Sequence, residues 1–160
     1  MIARTLTFGP VEISWDGRYE WPIAINHTKL NGDKFLITQC DITFKIGEIV
    51  KTVWAGFLFD GASIPWYIRW APGYSKIGWH LFADCIHDFS CDYPSAIPRP
   101  IGDGIFATLL LALAANGSKS HRKKRKYQAW SMARAVSVFT FMQALKGKEI
   151  IGHGKRKRKL

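Results

Sequence analysis

Cysteine is scarce in this chain of 160 residues, and no long uninterrupted apolar run is present. Three cysteines are an odd and sparse set, which argues against a secreted disulfide scaffold and favours reduced thiols in a cytosol. The longest apolar run, residues 105–115, is well short of the roughly 18 residues that a membrane span needs, so we do not expect an integral membrane protein. The first 17 residues do not place a charged segment before an apolar one, and we expect no export signal.

Acidic residues are almost absent from the last part of the chain. Residues 119–160 contain 14 Lys or Arg and one acid, Glu149, whereas residues 1–118 carry a net charge of −2. One basic cluster covers residues 121–126, and the second consists of Lys155, Arg156, Lys157, Arg158 and Lys159. Such clusters attract phosphate polyanions. We therefore expect the basic tail, residues 152–160, to contact DNA or an anionic lipid; the alternative is a solubilising tail without a specific partner.

The composition is that of a folded protein, with 48% apolar and 22% charged residues. We predict a single α+β domain over residues 1–151, with a β-rich part at 1–59 and a helical part at 75–147. In the β-rich part, residues 19–25, 34–38, 41–44 and 49–54 are rich in β-branched and aromatic side chains, and glycine-containing turns separate them. This pattern predicts a small antiparallel β-meander.

Three helices are predicted to follow, and the first two form an antiparallel pair. The first runs from Ser75, a plausible N-cap, to about Phe89. The second starts after Pro98-Arg99-Pro100, with Pro100 near its first turn, and ends at the Asn116-Gly117 stop. The third runs from residues 118–120 to about 147. The apolar residues of the third helix recur with a helical period, and they define an apolar face through Tyr127, Trp130, Val138, Phe141 and Leu145.

One histidine and three aspartates form the candidate site for chemistry. His87 lies near the end of the first predicted helix and Asp103 in the first turn of the second, so an antiparallel pair brings them within hydrogen-bond reach. A neutral imidazole can take a proton from water while a carboxylate holds its other N–H. Asp88 and the loop residue Asp60 offer hard oxygen ligands of the kind that calcium prefers.

Other readings of the same residues remain open. His80, Asp84, His87 and Asp88 share one helix face with Cys91 just beyond, a pattern that also suits zinc, which we consider the less favoured metal. Asp103 is equally suited to stabilise a helix N-terminus and Asp60 to form a turn before Gly61. The aromatic run at residues 66–70 fits either a packed core or a lipid-facing rim.

Residues 34–139 resemble a phage and prophage family of unknown function. The motifs that carry the resemblance are a strand leading into Asp60-Gly61-Ala62-Ser63-Ile64-Pro65, then His87-Asp88, then Arg99 followed by Asp103 and Phe106. The resemblance implies a phage-encoded protein, located in the virion or in the host cytoplasm, with other virion proteins as partners.

The two helical motifs also resemble those of calcium-dependent phospholipases, both the bacterial secretory enzymes and the domain of parvovirus capsids. This resemblance implies that His87 is the general base, Asp103 its orienting acid, and Asp88 and Asp60 the calcium ligands. The phospholipase tyrosine three residues after the aspartate is Cys91 here. The functional hypothesis is thus a phage hydrolase of lipid esters, and the alternative is a non-catalytic virion or assembly component whose basic tail contacts DNA or another protein.

Overall fold

The computed structural model describes residues 3–25, 36–61, 75 and 77–145, with side chains described as far as residue 138. The strands are β1 (Ala3–Phe8), β2 (Val11–Asp16), β3 (Ile23–Ile25), β4 (Leu36–Thr38), β5 (Ile42–Ile46), β6 (Ile49–Val53) and β7 (Leu58–Phe59). The helices are α1 (Leu81–Asp92), α2 (Arg99–Ala115) and α3 (Lys119–Leu145). Strands come first and helices second, which confirms the predicted α+β class.

The strands form two antiparallel sheets instead of one meander. The four-stranded sheet has the order β1-β2-β5-β6, and the other has the order β3-β4-β7. In β2 every second residue is buried, beginning with Val11, so one face of this strand packs into the core. The turn between β5 and β6 places Gly47 at a φ of 57°, a conformation that glycine adopts without steric cost.

Helix α1 begins later than the sequence predicted. The Ser75 hydroxyl accepts a hydrogen bond from the Ile77 N–H at 3.3 Å, which is a local turn and not the start of the helix. The helix begins at Leu81 and ends at Asp92, not at Phe89. Gly78, which is unfavourable inside a helix, lies between the predicted and the observed start and accounts for the delay.

The predicted apolar face of α3 is exposed at the residues whose side chains are described. Tyr127, Trp130 and Val138 are 68%, 54% and 52% exposed, and the side chains of Phe141 and Leu145 lie outside the described ones. Ala129, Met132 and Val136 are buried instead, on the side of α3 that contacts α2. Both sets have helical spacing, but the small side chain of Ala129 permits close packing, whereas the other face carries lysines that would lose their hydration.

The core joins the sheets to α1 and α2. Phe82 of α1 packs against Trp15 and Phe44 of the four-stranded sheet, with ring centroids 6.0 and 6.4 Å apart. Phe89 of α1 contacts Phe57 at 5.2 Å, just before β7. These aromatic contacts fix α1 against both sheets. None of the helices in the described ranges has the length and apolar character of a membrane span.

Candidate functional site: a buried histidine between two helices

His87 lies where the end of α1 meets the beginning of α2, and it is only 3% exposed. Its Nε2 atom is 3.5 Å from Asp103 Oδ1, and its Nδ1 atom is 3.5 Å from Asp88 Oδ1. The ring of Phe106, one turn beyond Asp103, packs against the imidazole with centroids 4.6 Å apart. The two helices therefore bring His87 and Asp103 together, as the predicted helix pair requires.

Arg99, at the first position of α2, contacts both His87 and Asp103. Its Nε donates to Asp103 Oδ1 at 2.9 Å, and its Nη2 lies 3.3 Å from His87 Nε2. Its Nη1 donates to the sulphur of Cys91, which is 4.0 Å from each nitrogen of the His87 ring. A guanidinium only donates, so the contact with Nε2 stabilises the imidazole when that nitrogen carries no proton.

A short loop sets the distance between the two helices. Tyr93 closes α1 through a hydrogen bond from its N–H to Phe89 O at 2.8 Å. The carbonyl of Pro98 accepts from the N–H groups of Ile101 and Gly102 at 2.9 and 3.0 Å, which starts α2. Proline at the second position of α2 removes an N–H that has no partner at a helix start.

Close contact between Ser90 of α1 and Gly102 of α2 holds the helices together next to the site. A Cβ atom at position 102 would lie 2.2 Å from Ser90 Oγ and 2.4 Å from Ser90 Cβ, too near for any real contact. Ser90 is itself fixed, because it is fully buried and its hydroxyl donates to the His87 carbonyl at 2.7 Å. Only glycine at position 102 permits this approach.

The environment of His87 changes its protonation. Burial by itself lowers the pKa of the imidazole, but hydrogen bonds with Asp103, Asp88 and Cys91 outweigh burial and raise this pKa well above its usual value. A carboxylate lies 3.5 Å from each ring nitrogen, which favours the protonated imidazolium. The ring becomes a proton acceptor only when the pH exceeds this raised pKa.

Three carboxylates influence one another beside the histidine. Burial, reinforced by the charges of Asp60 and Asp84, raises the pKa of Asp88 to about 6, although its hydrogen bond with His87 lowers it. Burial and the charge of Asp60 also raise the pKa of Asp84. Asp60, which directly follows β7, thus acts electrostatically on the acids of α1.

His80 and Asp84 form a second pair on α1. His80 Nδ1 is hydrogen-bonded to Asp84 Oδ2, and both side chains are buried. The face that suggested zinc is therefore divided into two pairs, one around His80 and the other around His87. Within the described ranges, no group of three or more His, Cys, Asp or Glu side chains is arranged to hold a metal ion.

The described side chains would make up only part of a calcium site, because calcium takes six to eight oxygen ligands. Asp60 and Asp88 are two carboxylates, and Asp88 Oδ1 is 3.5 Å from His87 Nδ1. Calcium at Asp60 and Asp88, and zinc on α1, therefore stay predictions. The basic cluster Lys155–Lys159 and the aromatic run at residues 66–70 lie outside the described residues.

Sequence reasoning did not assign Cys91, Ser90 and Gly102 to the site. Arg99 was visible as a partner for an acid, since it precedes Asp103 by four residues, the spacing of neighbours on a helix. The contact of Arg99 with Cys91 depends on how the two helices cross, and no sequence spacing encodes it. Gly102 directly precedes Asp103 in the sequence, but only the structure shows that a Cβ atom there would collide with Ser90.

A family profile, described as a protein of unknown function (DUF1353), matches residues 36–130, which is more than half of the chain. The chain belongs to the DUF1353 family. The DUF1353 match includes β4 to β7, α1, α2 and the first part of α3, and it therefore contains His87, Asp103, Asp60 and Asp88. No curated protein and no solved structure matches the chain.

Proposed function

We propose that this DUF1353 protein is a phage-encoded hydrolase of lipid esters, with His87 as the general base and Asp103 as the acid that orients it. The observation that carries the proposal is the distance of 3.5 Å between His87 Nε2 and Asp103 Oδ1 across two helix ends. A buried carboxylate next to an imidazole holds its orientation and stabilises the imidazolium that forms when water is deprotonated. The resemblance to phospholipases supports lipid as the substrate class.

In the proposed reaction, His87, Arg99 and Asp88 have different roles. His87 takes a proton from water through Nδ1 in the tautomer whose Nε2 carries the proton and faces Asp103. The contact of Arg99 with Nε2 belongs to the other tautomer, because a guanidinium only donates. Arg99 holds Asp103 through its Nε at 2.9 Å and so fixes the carboxylate relative to the ring. The Oδ1 atom of Asp88 lies 3.5 Å from Nδ1, so water reaches Nδ1 only if the Asp88 side chain moves aside. No step of this reaction is assigned to calcium.

The experiment compares hydrolysis of a short-chain phospholipid by the wild-type protein and by His87→Asn. We expect the variant to lose activity by about 100-fold or more, the usual contribution of a general base. The matched control is His80→Asn, which changes another buried histidine of the same region and leaves an amide able to bond Asp84. Equal activity of wild type and His87→Asn, or no hydrolysis by the wild type at any pH, would reject the proposal.

The second candidate function is a non-catalytic virion or assembly component. It is favoured by the burial of His87, whose nitrogens both face protein groups in the described structure. In this interpretation, the side chains of Arg99, Asp103 and His87 form a polar network that fixes α2 to α1. The candidate predicts that His87→Asn lowers stability while no hydrolysis is detected in any variant, and that the protein co-purifies with virions.

A further inference from the structure

Helix α3 presents to solvent a face on which apolar side chains and positive charges occur together. Tyr127, Trp130 and Val138 are each more than half exposed, at 68%, 54% and 52%. Their spacing of three and eight residues puts them on one side of the helix, because a helix turns by about 100° per residue. The opposite side, with Met132 and Val136, is buried.

The charges on this face have a single sign. Lys119, Lys123, Lys126 and Arg134 are exposed and flank the apolar side chains, and the described side chains of α3 include no Asp or Glu. The guanidinium of Arg134 lies 5.1 Å from the centre of the Trp130 ring, a cation–π contact that keeps the two groups side by side. Such a face matches an anionic surface and is repelled by a cationic one.

We propose that the α3 face, defined as Lys119, Lys123, Lys126, Tyr127, Trp130, Arg134 and Val138, docks onto an anionic lipid surface. Tryptophan and tyrosine favour the boundary between lipid and water, while lysine and arginine reach the phosphates of the headgroups. The phosphates of duplex DNA can also bind these cations. Duplex DNA has no apolar layer, however, in which Trp130 and Val138 become buried. The choice of lipid rests on the proposed function, since a hydrolase of lipid esters must meet its substrate at such a surface.

The test is co-sedimentation of the full chain with vesicles of phosphatidylcholine alone or mixed with phosphatidylglycerol. We expect binding only to the anionic vesicles and a loss of about fivefold for each lysine of the face changed to glutamine. Val138→Ser removes apolar atoms that would be buried in the lipid. It should weaken vesicle binding by about fourfold for each CH₂-sized group removed. The matched control is Val50→Ser on β6, which changes the same residue type at nearly the same exposure, 53%, and should leave binding unchanged.

Equal losses in Val50→Ser and Val138→Ser would overturn the proposal, as would equal binding to neutral and anionic vesicles. Salt-sensitive binding to duplex DNA without binding to vesicles would assign the face to nucleic acid and overturn it too. His87→Asn separates this inference from the proposed hydrolysis. Vesicle binding by His87→Asn that equals that of the wild type supports the α3 face, whether or not the wild type hydrolyses lipid.

Discussion

Replacement of Gly102 by alanine perturbs the spacing of the two helices that carry the candidate site. The new Cβ atom would lie 2.4 Å from Ser90 Cβ, whereas ordinary contact begins at 3.4 Å, so α1 and α2 must separate by about 1 Å. Ser90 does not move aside, because it is fully buried and bonded to the His87 carbonyl. The distance of 3.5 Å between His87 Nε2 and Asp103 Oδ1 must then increase.

Two opposing contributions set the expected loss of stability. Overpacking in a fixed core costs about 1–3 kcal/mol, and a contact near the backbone belongs at the upper end of this range. Alanine in place of glycine inside a helix stabilises the helix by about 1 kcal/mol. We therefore expect Gly102→Ala to lower the free energy of unfolding by about 2 kcal/mol, measured by denaturation in urea. The weaker pairing of His87 with Asp103 should also lower the pKa of the imidazole, measured by NMR titration.

Gly104, two residues farther along α2, provides the matched control. A Cβ atom at this position would meet nothing within 4 Å, so Gly104→Ala should raise the free energy of unfolding by about 0.5–1 kcal/mol. Ser90→Gly in the Gly102→Ala background should restore part of the stability, because it removes the atoms that collide. Equal effects of the two alanine substitutions would refute the account of helix spacing.

The remaining predictions concern calcium, the thiols and the tail. Calcium should raise the melting temperature more above pH 7 than below pH 5, because Asp88, with a pKa of about 6, is protonated at the lower pH; the same rise at both values would count against Asp88 as a ligand. Iodoacetamide should modify the half-buried Cys91 at least about tenfold faster than Cys40 and Cys85, because the sulphur atoms of those two are buried; mass spectrometry that finds all three modified equally would contradict this. Deletion of residues 152–160 should reduce the salt dependence of DNA binding, with a change in the log–log slope of about 4.5; an unchanged slope would show that the tail makes no phosphate contacts.

The proximity of His87 and Asp103 could be predicted because it depends on chain connectivity. A histidine near the end of one helix and an acid at the start of the next must come close if a short loop joins them. The α+β class followed from the same kind of local pattern, strands in the first part and helices in the second. The start of the predicted first helix was displaced because the Ser75 turn and Gly78 precede the observed helix.

Features set by packing between elements could not be predicted in this way. Helical spacing shows that Tyr127 and Trp130 share a face, but it does not show whether that face or the one with Met132 meets α2. Similarly, the two sheets result from β2 pairing with β5, a long-range choice that turn signals do not encode. The contact of Arg99 with Cys91 depends on the crossing of α1 and α2, which the Ser90–Gly102 approach determines.

The most direct test of the account is the rate of hydrolysis of a short-chain phospholipid as a function of pH. Hydrogen bonds with Asp103, Asp88 and Cys91 outweigh burial and raise the pKa of His87 well above its usual value. The account predicts that the rate increases as the pH rises through this pKa, and that His87→Asn abolishes the increase. A rate that stays constant or falls over the same range, or an increase that persists in His87→Asn, would contradict the role of His87 as the general base.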